Sequence, residues 1–269
     1  MSATVAQRLL EYVRSDKQLL IELLEELTSA ESPSQHPDIH GRIRRSLVTM
    51  FADLDFAVRE VGLQGSVRHL FARPRHRLRN RPLQLIVGHY DTVWPVGTLA
   101  ERPFSVAGNV IRGPGVFDMK GGLVMCALAL RSIDRLGLEL PATPVVFANA
   151  DEEIGSRSST RYIQQLARRS SRALVLEPAM GDAGLIKTER KGIGRYTITV
   201  FGKAAHAGLD PEGGASAILE LSHVIQTLFA LNDPAAGVTV NVGTVDGGIQ
   251  PNVVAPHSSC VADVRVPTV

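Results

Sequence analysis

The chain has little of what would set it apart from an ordinary soluble globular protein. It carries two cysteines in 269 residues, Cys126 and Cys260, both on apolar segments and in no C-x-x-C pair. They make neither a disulfide framework nor a thiolate metal motif, so a reducing, cytoplasmic setting is expected. No apolar run approaches the ~20 residues that a membrane-spanning helix needs, which argues against a membrane role. Met1 to Lys17 contains Arg8, Glu11, Arg14 and Asp16 and lacks the apolar core and small-residue cleavage site of a secretory signal. Charge of one sign is scarce too. The 29 Lys and Arg against 27 Asp and Glu leave a net charge of +2, too weak a field to imply a nucleic-acid partner. The one local excess, Arg73, Arg75, Arg77, Arg79 and Arg81, has no interleaved aromatics. It reads as a solvated loop or hairpin, with an anion-binding surface as the alternative.

What is present is 44% apolar and 21% charged residues, with length for one large or two modest domains and a real core. Leucines at near-helical spacing from Leu9 to Leu27 predict one amphipathic helix or a pair, and His40 to Leu54 predicts another. Phe56–Val61, Ser66–Arg73, Leu83–Val87, Thr143–Ala150 and Arg172–Leu176 read as strands, and Lys120–Leu136 and Ser158–Arg169 as helices. Beyond Gly181 the texture changes. Gly194–Gly202, Val238–Val245 and Pro256–Val266 read as strands and Gly214–Leu231 as a helix. Strand–helix alternation in the first part predicts a three-layer α/β domain over residues 1–190. The β-α-β-β order predicts a smaller, ferredoxin-like α+β domain over residues 191–269.

Chemistry-bearing residues gather where predicted buried strands stop, as they do in open α/β sheets. V-G-H-Y-D-T-V places His89 and Asp91 on one side of a strand, so that the carboxylate can bond the second imidazole nitrogen. Asp118 lies in the turn after Gly113-Pro-Gly115, where glycine lets a loop fold closely around an ion. Asp151-Glu152-Glu153 follows the next buried strand, with neighbouring side chains diverging, and Glu177 ends another. Imidazole and carboxylates together suit Zn²⁺, with cobalt or manganese as alternative occupants. Each piece has a plainer reading: H-x-D as a bonded turn, D-E-E as a solvated acidic loop, Glu-Pro as a strand end, and Gly121-Gly122 as close helix–sheet packing. Recurrence at successive strand ends favours the metal site. His36, His40, His69, His76, His223 and His257 read as surface or core residues.

The motifs G-H-Y-D-T-V, G-P-G-V-F-D-M-K-G-G, D-E-E-I-G-S, L-E-P, G-K-A-A-H-A-G and G-G-I-Q-P-N-V-V together resemble the zinc exopeptidase and deacylase family. That family includes glutamate carboxypeptidase, acetylornithine deacetylase, succinyl-diaminopimelate desuccinylase and aminoacylase, and the glutamate carboxypeptidase branch is the most similar. The resemblance implies two zinc ions bridged by Asp118, with His89 and Glu177 completing the first site and Glu153 in the second. It also implies Glu152 as general base, Asp91 as the carboxylate orienting His89, and a cis peptide between Asp118 and Met119. The smaller domain is then a lid and homodimerisation surface. Its His206 would stabilise the oxyanion in a neighbouring subunit's site, with Gly208 permitting the turn beside it, and Asn252 would contact substrate. The plainer reading of His206 is a lid-loop histidine.

Against the family pattern the sequence stops at Val269, before the lid's closing helix and strand and the last zinc-binding histidine. Truncation is therefore expected, with one well-supported metal site and a second that has only Asp118 and Glu153. The implied activity is hydrolysis of an amide bond beside a free carboxylate in a peptide, releasing a C-terminal residue such as glutamate. The alternatives are N-acyl amino-acid deacylation and an inactive dimerising fragment.

Overall fold

The computed structural model describes residues 4–62, 65, 67–76, 80–181 and 183–268. They form two compact units, Met1–Ala179 and Met180–Val269. No helix among the described residues is long and apolar enough to cross a membrane.

In the first unit the N-terminal leucine periodicity resolves into two helices, α1 (Val5–Ser15) and α2 (Lys17–Thr28). The Thr4 hydroxyl accepts from the Gln7 amide and the Gln7 side chain returns to the Thr4 amide, a reciprocal cap that starts α1. Helix α3 (Gly41–Ala52) leads into β1 (Phe56–Val61), β2 (His69–Pro74) and β3 (Leu83–His89). A short helix α4 (Thr98–Glu101) and a hairpin of β4 (Ser105–Ala107) and β5 (Val110–Arg112) follow, neither of them anticipated from periodicity. Then come α5 (Gly121–Arg135), β6 (Thr143–Asn149), α6 (Thr160–Ala167) and β7 (Ser170–Val175). The five-stranded sheet has the order β1-β2-β6-β3-β7. Its β1–β2 and β2–β6 pairs are antiparallel, and its β6–β3 and β3–β7 pairs parallel.

Strand β6 is buried along all seven residues, which is why its sequence reads as a continuous apolar run rather than an alternation. On one face Ile86, Val146 and Ala148 pack with Leu27, Leu47 and Leu123 from three helices. On the other, Leu85, Val145 and Phe147 meet Tyr162, Ile163 and Leu166 of α6. Each fully buried Leu, Ile, Val or Phe among them contributes about 1.5–3 kcal/mol, while the α6 side chains are partly buried, and the result is three layers, helix, sheet and helix. Gly122 sets the spacing of α5: a Cβ there would stand 2.2 Å from the Leu176 carbonyl oxygen. Of the arginine-rich segment, Arg75 lies 3.6 Å from Asp55 and Arg81 3.0 Å from Glu139, while Arg77, Arg79 and the expected strand start at Ser66 lie outside the described residues.

His40 and His69 are core residues, both fully buried. The His40 ring bonds the Pro33 carbonyl at 2.9 Å. Burial, only partly offset by nearby carboxylates, lowers both pKa values below 6.5. As pH falls through 6.5 the unfolded chain takes up protons that the folded rings refuse, so this part of the stability is intact above 6.5 and lost below it. Glutamine at position 69 cannot titrate. His69→Gln is therefore expected to lose less stability than the unchanged chain between about pH 7.5 and about pH 5.5, read as the difference between two urea-unfolding series. Equal losses would show that the ring is not held neutral.

The second unit contains β8 (Gly192–Phe201), α7 (Ala217–Ala230), β9 (Thr239–Gly247) and β10 (His257–Val266), the expected β-α-β-β order. Its sheet runs β8-β10-β9, antiparallel throughout. Ser216 caps α7 by accepting from the Leu219 amide. The buried Ser258 hydroxyl donates to the Ala217 carbonyl at 2.8 Å, fixing the start of the helix on the sheet.

Candidate metal centre

Parallel pairing brings the sequence-predicted residues of the first unit together. His89 lies opposite Asn149, and Val87 opposite both Phe147 and Val175, so β3, β6 and β7 end at one level. Their extensions carry His89 and Asp91, Asp151 to Glu153, and Glu177. Asp118 comes from the turn before α5, reached through Gly115 at φ +74°, a conformation that favours glycine. The Asp118–Met119 peptide bond is cis.

The buried His89 ring bonds through Nδ1 to the main-chain oxygen of Asp91 at 2.9 Å, with the Asp91 carboxylate at 3.5 Å. Strand alternation gave that nearer bond to the carboxylate. The chain leaves β3 after His89 instead, and the carbonyl takes the closer position. Nε2 consequently faces Asp118 Oδ1 at 3.1 Å and Glu177 Oε1 at 3.5 Å. The Asp91 carboxylate, wholly buried, accepts from the amides of Glu152 and Glu153, each at 3.2 Å, and from the Ser34 hydroxyl at 2.7 Å. It thus joins the loop after His89 to the turn bearing both glutamates.

Sequence reasoning missed the supports of that turn. Asp151 Oδ2 accepts from the Ser158 amide at 2.7 Å, the Ser158 hydroxyl at 2.8 Å and the Ser159 amide at 3.2 Å. The His69 ring spans the Ala150 amide at 3.3 Å and the Ser158 hydroxyl at 3.0 Å. D-E-E-I-G-S-x-S-S held a usable signal: an Asp followed by serines seven and eight residues on can close a loop on itself. Ser34 and His69 lie 57 residues or more from the groups they touch, and no local pattern marks them.

Acidic crowding sets the electrostatics. Burial depresses the His89 pKa, but the hydrogen bond and charge of Asp91, with the charges of Glu177 and Glu152, outweigh it and lift the value to about 9. Burial, together with Asp118, Glu152 and Asp91, pushes Glu153 up to about 7 against the pull of His89. Glu177 is raised as well, by burial first and then by its acidic neighbours. The same excess of negative charge favours a divalent cation. His89, Glu152 and Glu177 form one set whose candidate ligand atoms lie within 4.8 Å of one another, and His89, Asp118 and Glu153 form a second. One imidazole and four carboxylates at the ends of adjacent strands and in the turn before α5, with His89 held through its other nitrogen, are donors that fit zinc.

In the second unit His206 is exposed, and its Nδ1 accepts from the amides of Gly208 and Leu209, both at 3.2 Å. With Nδ1 accepting, it is Nε2 that is left to donate. Gly208 serves through its amide. Its φ is not positive, and a Cβ there would make only ordinary contacts with the His206 ring, which corrects the expectation of a turn that needs glycine. His206 bridges to Val253, and the Ala207 amide donates to the Asn252 carbonyl at 3.0 Å, so His206 and Asn252 sit side by side.

Residues 188–269 match the M20 peptidase dimerisation domain. Carboxypeptidase G2 of Pseudomonas sp. (strain RS-16) is 33% identical over 181 residues, 67% of this chain and 44% of that protein. Acetylornithine deacetylase of Salmonella paratyphi B is 26% identical over 263 residues, 91% of this chain and 67% of that one. The crystal structure of aminopeptidase PepT from Bacillus cereus superposes with a TM-score of 0.73 at 22% identity, covering 94% of this chain and 67% of the other. The chain thus spans less than half of carboxypeptidase G2 and about two thirds of the other two. The described fold, the order of motifs along it and these likenesses agree: the chain is similar to M20 peptidases and amidohydrolases, and its residues 188–269 match their dimerisation domain.

Proposed function

We propose that the residues around His89 form a zinc-dependent hydrolytic centre that cuts an amide bond beside a free carboxylate and releases a C-terminal amino acid, glutamate first among the candidates. The observation carrying this reading is the meeting of one buried imidazole and four carboxylates at adjacent strand ends, with the Glu152–Glu153 turn tied through Asp91 to the loop after His89. His89, Asp118 and Glu177 would hold one ion, and Asp118 and Glu153 would contribute to a second. Zinc bound there would supply a Lewis acid that polarises the carbonyl and acidifies water. Glu152 takes the proton from the attacking water and returns it to the leaving nitrogen. His89 is kept in its ligating tautomer by the Asp91 carbonyl. By the family resemblance, His206 would donate from Nε2–H to the oxygen that gains charge in a neighbouring subunit's site, and Asn252 would contact substrate. The Nδ1 bonds of His206 and the family resemblance support the first role, and the resemblance alone supports the second. The dimerisation-domain match supports a homodimer formed through the second unit.

N-acyl amino-acid deacylation is the second reading, favoured by likeness to acetylornithine deacetylase across most of the chain. A panel of dipeptides and N-acyl amino acids, all ending in glutamate, separates the two. The zinc-loaded 269-residue chain is expected to cleave the peptide series faster and to stop when a chelator is added. A folded, zinc-loaded chain that leaves both series intact would sink both readings in favour of a non-catalytic dimerising role.

A further inference from the structure

A cleft of about 320 Å³ adjoins the metal cluster and shares Glu153 with it. Pro33, Val93, Trp94, Val96 and Ile154 form its apolar lining. Val93 is 67% exposed, Val96 54% and Ile154 37%, so apolar groups stand in solvent directly beside a site crowded with charge. Isolated exposed apolar side chains need no explanation, but a concave group of them sharing a wall with candidate metal ligands has the form of a ligand pocket.

The walls are fixed in advance. The Glu31 carboxylate accepts from the amides of Gly97 and Leu99, both at 2.9 Å, which pins the turn after Val96. Pro33 and Thr92 bridge, with the Thr92 amide donating to the Ser32 carbonyl at 2.8 Å and the Ser34 amide to the Thr92 carbonyl at 3.1 Å. The Arg102 guanidinium lies 5.0 Å from the centroid of the Trp94 ring and holds that side chain in place. Ser34, on the same strut, is the residue whose hydroxyl bonds Asp91. Pocket and metal cluster are therefore built on one rigid frame, and a group seated in the first is in register with the second.

Charge decides which part of a substrate enters. Glu153 is the only Asp, Glu, Lys or Arg in the lining among the described residues. A carboxylate placed there would face Glu153 and find no Lys or Arg in the lining to pair with, so the side of the substrate carrying the free carboxylate belongs elsewhere. Resting on the hydrolytic reading above, we propose that this pocket takes the acyl side of the scissile amide and selects an uncharged, branched or aromatic group larger than acetyl. An acetyl group leaves the Trp94 and Val96 walls wet, whereas a ring or branched chain dries them. Filling such a pocket is worth about 10–200-fold in discrimination.

Trp94 is the only tryptophan in the chain, so its emission reports occupancy whether or not an amide is cut. The zinc-loaded chain is titrated with N-phenylacetyl-glutamate and with N-acetyl-glutamate, hydrolysis being followed in parallel. The phenylacetyl compound is expected to shift the emission and to bind at least about tenfold more tightly. By calorimetry, Trp94→Ala is expected to cut that ratio to below about threefold, and Trp94→Phe to keep most of it. Equal affinity for the two compounds would overturn the proposal. So would a preference that survives Trp94→Ala in a variant of unchanged melting temperature. Acyl preference in binding without hydrolysis would leave the pocket standing and remove the hydrolytic reading. Hydrolysis without acyl preference would do the reverse.

Discussion

Glu152→Gln is expected to bind as much zinc as the unchanged chain and to hydrolyse its best substrate about 10²–10⁴-fold more slowly, the usual worth of a positioned general base. Glutamine keeps the volume and the main-chain amide that donates to Asp91, so the turn is retained. What is lost is a group able to take a proton. The neighbouring Glu153→Gln should behave oppositely, with metal content falling first and activity following it. Proximity alone does not separate the two residues, because Glu152 groups with His89 and Glu177 as readily as Glu153 does with His89 and Asp118. Elemental analysis and steady-state kinetics on the two variants do separate them. If Glu152→Gln loses zinc in proportion to activity, Glu152 is a ligand and the base lies elsewhere.

Most of the first unit was legible because its central strands are buried and short, whereas β7, expected to be buried ahead of Glu177, is exposed at five of its six residues. Leu83–His89 and Thr143–Asn149 announce themselves as apolar runs, and the functional groups follow directly where those runs stop. The register that sets the runs side by side is also implied, since parallel strands joined through helices end together. The hairpin of β4 and β5 escaped notice because each strand has three residues and is mainly exposed, leaving no periodicity to detect. The division of labour at Asp91 was hidden for a different reason. Two-residue alternation says which side a carboxylate takes on an ideal strand, but the strand ends at His89, so the rule no longer applies where the contact forms. Long-range supports such as Ser34 and His69 are visible only once the chain is folded, because their partners are set by topology rather than by spacing.

Asp91 is where the geometry departs most from a simple orienting role, and the consequence is measurable. Asp91→Ala removes the acceptor for two main-chain amides and one hydroxyl at once, around a carboxylate that is itself wholly buried. Each unsatisfied buried donor costs about 1–3 kcal/mol, so the variant should be destabilised by several kcal/mol and should release the Glu152–Glu153 turn. Asp91→Asn is the more telling change. Its amide has one accepting atom where the carboxylate has two, so its NH₂ must face the amide of Glu152 or of Glu153, donor against donor. The bond from His89 Nδ1 to the Asp91 carbonyl survives, because it runs to the main chain. If the carboxylate acted only by orienting His89, the asparagine variant would be nearly silent. With the turn depending on it, metal affinity or activity should fall about 10–100-fold while the fold persists. Zinc titration of a folded Asp91→Asn chain decides between them: unchanged affinity together with unchanged turnover would refute the tie between the two loops.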